Sequence, residues 1–153
     1  MELVVNEWLL DYFRPDSEKS ERDLALKFVN ALVEKCDKVV IRRASPFVKK
    51  FHSCMKEFGY DLDFKKRFKK INELLFHNLD KTIIKDDNDI EALPERIEQK
   101  VPSDDDDRYL VELAYSSADK IIITTDKRLK EKLKDEPDLR IYLLEEFMKN
   151  YSP

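Results

Sequence analysis

The sequence predicts one α/β domain, a three-layer α/β/α sandwich built on a mainly parallel sheet. Three observations carry that expectation. Short apolar runs rich in Val and Ile recur along the chain, around Leu3–Val5, Val39–Ile41, Thr82–Ile84, residues 120–124 and residues 139–143. Segments with helical spacing separate these runs, and strands that alternate with helices favour a parallel sheet covered on both faces. The chain has 153 residues, 42% of them hydrophobic, which is enough for one full core. No Gly- or Ser-rich linker and no repeat divides it, so residues 1–153 read as a single domain.

Each element has a local reason. Leu3-Val4-Val5 is a first buried strand. Trp8, Leu9, Leu10, Tyr12 and Phe13 follow at helical density, with Trp8 expected in the core, and Arg14-Pro15-Asp16-Ser17 breaks that segment. Leu24, Phe28, Val29, Leu32 and Val33 give a helical stripe over roughly residues 18–36, which Ser17, with Glu21 nearby, is placed to start. After the second strand, Ser45-Pro46 suits an N-cap followed by Pro in the first helical turn. That helix carries Phe47, Phe51, Met55 and Phe58, and Gly59 is its expected stop. Phe64, Phe68, Ile71, Leu74, Leu75 and Leu79 mark a long helix over 62–79. Residues 85–103 read as an irregular acidic connection containing a short helical piece. A helix over 105–117, one starting near Asp126, and a short one around residues 145–148 complete the pattern.

Composition excludes several classes. No apolar run approaches the roughly 20 residues of a membrane span. Glu2 stands where a secretory leader carries positive charge, so a cytoplasmic location is the expectation. Charged residues make up 41% of the chain and Gly occurs once, the bias of proteins from hot environments. Cys36 and Cys54 lack metal-ligand spacing and are expected as buried free thiols, with a disulfide as the alternative. A single Gly rules out a Gly-rich phosphate loop, and His52 and His77 stand alone as surface or packing residues. Net charge is −4, yet residues 42–70 hold ten Lys or Arg against three acids. That stretch, with Lys49, Lys50, Lys65, Lys66 and Arg67, reads either as a solvated helix face or as a footprint for a phosphate backbone.

The sharpest chemistry lies in the acids. Asp104-Asp105-Asp106-Asp107 leads into an apolar helix, and the following strand ends in Thr124-Thr125-Asp126. In an open α/β sheet, ligands bind in the crevice beyond the carboxyl ends of the strands. Aspartates also cap helices and complement the helix dipole, which accounts for one or two of the four. Four adjacent negative charges repel one another, and a bound cation relieves the repulsion. Asp106, Asp107 and Asp126 are therefore candidate ligands for a hard divalent ion, and Asp126 also suits a helix cap. At the end of the first strand, Asn6 offers a neutral oxygen. Glu7 is either a third carboxylate or an exposed residue of the first helical turn. A phosphoacceptor domain needs an acid pair after the first strand, and Asn6-Glu7 supplies only one acid.

The run Asp106-Asp107-Arg-Tyr-Leu-Val-Glu-Leu-Ala114, followed by Ala118-Asp119-Lys-Ile-Ile-Ile-Thr-Thr-Asp126-Lys-Arg-Leu129, resembles the C-terminal half of a PIN domain. Leu3-Val4-Val5-Asn6 resembles that family's opening strand, and the strand before Ser45-Pro46 fits its layout. The resemblance implies a ribonuclease whose acids hold Mg²⁺ or Mn²⁺, with RNA as the partner and a homodimer as the assembly. It transfers cleanly to Asp107 and Asp126, with Asp106 as a neighbour. Two positions depart from the family pattern. Asn6, or Glu7 after a slip of one residue, stands where the family has its first Asp, and Lys49 and Lys50 stand where it has a Glu. A site built on Glu7, Asp106, Asp107 and Asp126, with Asn6 orienting a ligand, is one outcome. A catalytically inactive module that binds RNA or protein is the other.

Overall fold

The structure, a computed structural model, describes residues 1–151. Five strands, β1 (Glu2–Val5), β2 (Lys38–Arg42), β3 (Thr82–Lys85), β4 (Ile121–Thr124) and β5 (Arg140–Leu143), form one sheet in the order β3-β2-β1-β4-β5. Every pairing is parallel, with Val4 opposite Val40 on one side and Ile122 on the other. Eight helices are described: α1 (Trp8–Asp11), α2 (Lys19–Glu34), α3 (Pro46–Phe58), α4 (Leu62–Phe76), α5 (Glu95–Glu98), α6 (Arg108–Tyr115), α7 (Lys127–Leu133) and α8 (Leu144–Met148). The three-layer expectation holds.

Strand side chains alternate between the two faces, and the chain builds a separate core on each. Leu3, Val5, Val39, Ile41, Ile121 and Ile123 face an aromatic core with Trp8, Phe28, Phe51, Phe64 and Phe68 from α1 to α4. In it the Phe51 and Phe68 rings stack at 5.1 Å. Val4, Val40 and Ile122 face an aliphatic core made with Ile97, Leu110, Val111, Leu113, Leu129 and Leu133 from α5, α6 and α7. The chain steps outward from β1 to β3 beneath the first helical layer. It then crosses to the far side of β1 and steps outward again to β5 beneath the second. The direction of travel reverses between β1 and β4, which makes the carboxyl ends of those two strands the switch point of the sheet.

Local hydrogen bonds correct three of the expected boundaries. Glu18, not Ser17, caps α2, in a reciprocal box with Glu21. The Ser17 hydroxyl instead meets the carbonyls of Tyr12 and Arg14 at 2.8 and 2.7 Å, closing the turn before the helix. α4 ends at Phe76, short of 79, because the Asn78 side chain accepts from the Asp80 amide at 3.0 Å and turns the chain toward β3. Leu79 is left exposed. α6 begins at Arg108, not near 105, because the aspartates before it are held in a turn. Gly59 does end α3, yet its φ of −63° is right-handed. What demands Gly there is space, since a Cβ would lie 2.5 Å from the Met55 carbonyl oxygen.

Other expectations divide. Ser45 caps α3, its hydroxyl accepting from the Val48 amide at 3.4 Å, with Pro46 in the first turn. Trp8 is buried and its indole N–H donates to the Ile123 carbonyl at 2.9 Å. Both cysteines are free thiols; Cys54 is buried but Cys36 is exposed, because it falls in the loop after α2. The connection between β3 and α6 contains a 3₁₀ turn (Asp87–Asp89) and α5, as its composition suggested. It is pinned by buried Leu93, Ile97 and Val101, and by Arg96 and Lys100, which donate to the covered Glu136 carboxylate at 2.9 and 2.7 Å. Among the described residues, no helix is long and apolar enough to cross a membrane.

Candidate functional site

The switch point gathers the acids. β1 delivers Asn6 and Glu7, β4 delivers Thr124, Thr125 and Asp126, and α6 starts at the same edge with Asp107 as its first flanking residue. Asn6 Nδ2 donates to Thr124 Oγ1 at 3.1 Å, and that hydroxyl oxygen also accepts from the Asp126 amide at 3.0 Å. The ends of β1 and β4 are thereby tied together. Asn6 Oδ1 is buried and has no hydrogen-bond partner among the described residues. A buried carbonyl oxygen is costly to leave unpaired, so Asn6 Oδ1 is available to accept a hydrogen bond at this edge.

Asp126 has the capping role foreseen for it. Its Oδ1 accepts from the amides of Arg128 at 2.8 Å and Leu129 at 3.4 Å, opening α7. Asp107 caps nothing with its side chain. Burial pushes its carboxyl above the ordinary aspartate value, and the charges of Asp126, Asp105 and Glu7 push it further, while Lys132 pulls it down. Asp105, which sequence reasoning did not single out, organises the turn. Its Oδ1 accepts from the Asp107 amide at 2.8 Å and its Oδ2 pairs with Lys132 Nζ at 2.6 Å. Burial would raise the Asp105 carboxyl, but these two bonds hold it below its usual value.

A cavity of about 530 Å³ opens beside these groups, walled by Glu7, Pro46, Asp105, Asp106, Tyr109 and Glu112, among others. The Tyr109 hydroxyl is buried and makes no hydrogen bond among the described residues. Burial first, and then the nearby Glu7 carboxylate, raise its pKa. Asp106 is exposed on the cavity wall.

Among the predicted residues, Asn6, Glu7, Asp107 and Asp126 come to one edge and Asp106 lies on the adjoining wall. Lys49 and Lys50 lie in the first turns of α3, next to Pro46. Lys49 is exposed, but Lys50 Nζ is bound to Asp11 at 2.9 Å. Lys65, Lys66 and Arg67 belong to α4 and do not line the acidic cavity. Tyr109, Asp105 and Lys132 went unpredicted. An Asp two residues before the amide it accepts from is an ordinary Asx turn, so Asp105 was findable. Lys132 lies 27 residues from Asp105, and nothing in its local spacing marks it.

The donor set suits a hard divalent cation in kind, being carboxylates and an amide oxygen. Among the described residues, however, no three His, Cys, Asp or Glu side chains converge closely enough to hold an ion. The acids match such an ion in chemistry and charge and stop short of it in convergence. Comparison of the chain with protein-family models, curated proteins and solved structures finds no match.

Proposed function

We propose that the chain is a PIN-like domain acting on RNA as a divalent-metal-dependent ribonuclease with a rearranged acid set. One observation carries this reading: the ends of β1 and β4 and the start of α6 bring Glu7, Asp126 and Asp107 to one edge of the sheet at its switch point, where their like charges act on the half-buried Asp107. Surplus negative charge in a ligand-binding crevice is what a cation site needs before it is loaded. Mg²⁺ or Mn²⁺, when bound, would supply Lewis-acid chemistry toward a phosphodiester and its attacking water. Asp107 and Asp126 would hold the ion, with Glu7 and Asp106 assisting. Asp126 can do so while capping α7, since the cap uses Oδ1 alone. Asn6 Oδ1 is left to accept a hydrogen bond from a hydroxyl or a water and so to orient it. Lys49, Lys65, Lys66 and Arg67 would hold the RNA backbone by charge. Lys50 is committed to Asp11 and contributes by keeping α3 against α1.

A second reading has its own support. In a PIN-like module that binds RNA or a protein and performs no chemistry, the acids need not meet. Their lack of convergence, and the place of Lys50 where the family carries an acid, favour it.

Labelled single-stranded RNA incubated with the protein in Mn²⁺ or in chelator, beside the Asp107→Asn, Asp126→Asn double variant, separates the two. The nuclease reading expects cleavage that requires metal and disappears in the variant. RNA retained on the protein but intact in every lane would make the binding module the better reading.

A further inference from the structure

Next to the acidic edge, past the carboxyl ends of β4 and β5, lies a second cavity of about 350 Å³. None of the candidate ligand acids lines it. Its apolar wall comes from Tyr12, Leu24, Leu143 and Leu144, and the first three are partly exposed. Apolar surface left wet in a concave site is surface that a ligand can cover with a gain in free energy. The Tyr12 ring is not free to swing aside, because it packs edge-on against the buried Trp8 ring at 5.8 Å. A further cavity of about 410 Å³ shares Tyr12, Leu24 and Glu145, so Tyr12 stands at the junction of one longer groove. The charges beside it are unspent. Lys127 and Lys149 are exposed and have no ion-pair partner among the described residues. Of the two glutamates in the first cavity, Glu146 is bound to Lys130, and Glu145 has no partner among the described residues.

A fixed aromatic ring among leucines suits a flat apolar face, two free ammonium groups suit phosphates, and a free carboxylate suits an N–H donor. A strand of unpaired nucleotides offers all three together. A double helix hides its base faces, and an apolar peptide leaves both lysines unmatched. Among pyrimidines, cytosine presents an amino donor to a carboxylate, where uracil presents a carbonyl oxygen that a carboxylate repels. We propose that the groove over Tyr12 is a base-binding subsite for single-stranded RNA: it stacks one base on Tyr12, receives that base's exocyclic amino group at Glu145, and holds the flanking phosphates with Lys127 and Lys149. This rests on the reading of RNA as the partner. Thr125 of the cavity wall is followed directly by Asp126, so a strand seated here continues onto the acidic edge.

The test is fluorescence anisotropy of labelled oligocytidylate and oligouridylate of equal length, bound to the full chain in chelator so that nothing is cleaved. Wild type is expected to hold the cytidine strand about tenfold more tightly, and Glu145→Ala to bring the two Kd values together. Tyr12→Leu should weaken both strands by about tenfold while Tyr12→Phe, which keeps the stacking face, stays close to wild type. The double variant Lys127→Gln, Lys149→Gln should weaken both strands and flatten the salt dependence by about 0.7 for each lysine. Glu145, Lys127 and Lys149 are exposed, so their variants decide the matter even if Tyr12→Leu fails to fold. Equal affinity of the wild type for the two strands, or a preference that survives Glu145→Ala, overturns the proposal. So does an unchanged affinity and salt slope in the lysine variant. If the wild type binds RNA and every groove variant binds it equally well, the groove falls and RNA as the partner stands. If the wild type binds neither strand at low salt, the RNA reading falls and takes the subsite with it.

Discussion

Asp107 bears a cost that its neighbours impose. Its carboxyl is raised in the folded state by burial and by the charges of Asp126, Asp105 and Glu7. A raised carboxyl binds its proton more tightly in the folded chain than in the unfolded one. Its contribution to stability is therefore complete below the unfolded pKa and lost as pH rises through the folded pKa. At pH 7 the ionised group destabilises the fold. Replacing Asp107 with Asn should raise Tm at pH 7, with the gain vanishing near pH 3, where the wild-type carboxyl is protonated in both states. Thermal unfolding of the two proteins at the two pH values checks this. A lower Tm for the variant at pH 7 would mean that Asp107 makes favourable contacts that outweigh the repulsion. The same crowding was partly legible in the sequence, since four aspartates in a row announce repulsion. The identity of the relieving cation was not. Lys132 is one of many lysines at ordinary surface spacing, and only the packing of α7 against the turn before α6 brings it to Asp105.

At the scale of elements, the order of strands and helices was readable because apolar periodicity survives whatever the tertiary contacts are. Boundaries were less so, for a physical reason that repeats. Where a side chain outbids the next helical hydrogen bond, as Asn78 does after α4 and Asp105 does before α6, the helix stops or starts elsewhere. The cap of α3 was legible, and Ser45→Ala should cost about 1 kcal/mol by orphaning the Val48 amide, measured by urea unfolding with an unchanged m-value. Gly59 looked like a left-handed stop and is a close-approach glycine. Gly59→Ala should destabilise by roughly 1–3 kcal/mol, because the new methyl group must push against the Met55 carbonyl rather than against a flexible side chain. A neutral or stabilising result would show that the end of α3 can shift at little cost. Asp126 joins the residue scale to this one. Asn caps as well as Asp does, whereas Ala does not. Asp126→Asn should therefore keep the stability of α7 while changing the charge of the site, and Asp126→Ala should lose about 1 kcal/mol more.

Across the whole molecule, charge is divided, and the sum conceals it. The chain carries −4 overall, but Glu7, Asp105, Asp106, Asp107 and Asp126 gather around the switch-point crevice while residues 42–70 hold ten Lys or Arg. The sequence could not say how many of those ten face solvent uncompensated. Ion pairs remove Arg42, which meets Asp87 and Glu112, Arg43, which meets Asp86, and Lys50, which meets Asp11. Lys65, Lys66, Lys69 and Lys70 are exposed on α4 and have no ion-pair partner among the described residues. Such a row suits a phosphate backbone, and counterion release makes that claim measurable. Each phosphate contact to a single strand contributes a slope of about −0.7 to log K against log salt. If RNA lies along α4, changing these four lysines to Gln should weaken binding and flatten the salt dependence by about 0.7 for each lysine engaged. The substitutions are exposed and touch no core residue, so Tm should hardly move. Fluorescence anisotropy of a labelled single strand, titrated at several salt concentrations, reads the slope directly. An unchanged slope would move the docking surface off α4 and leave the exposed Lys49, three residues after Pro46 of the cavity wall, as the next candidate for an RNA contact.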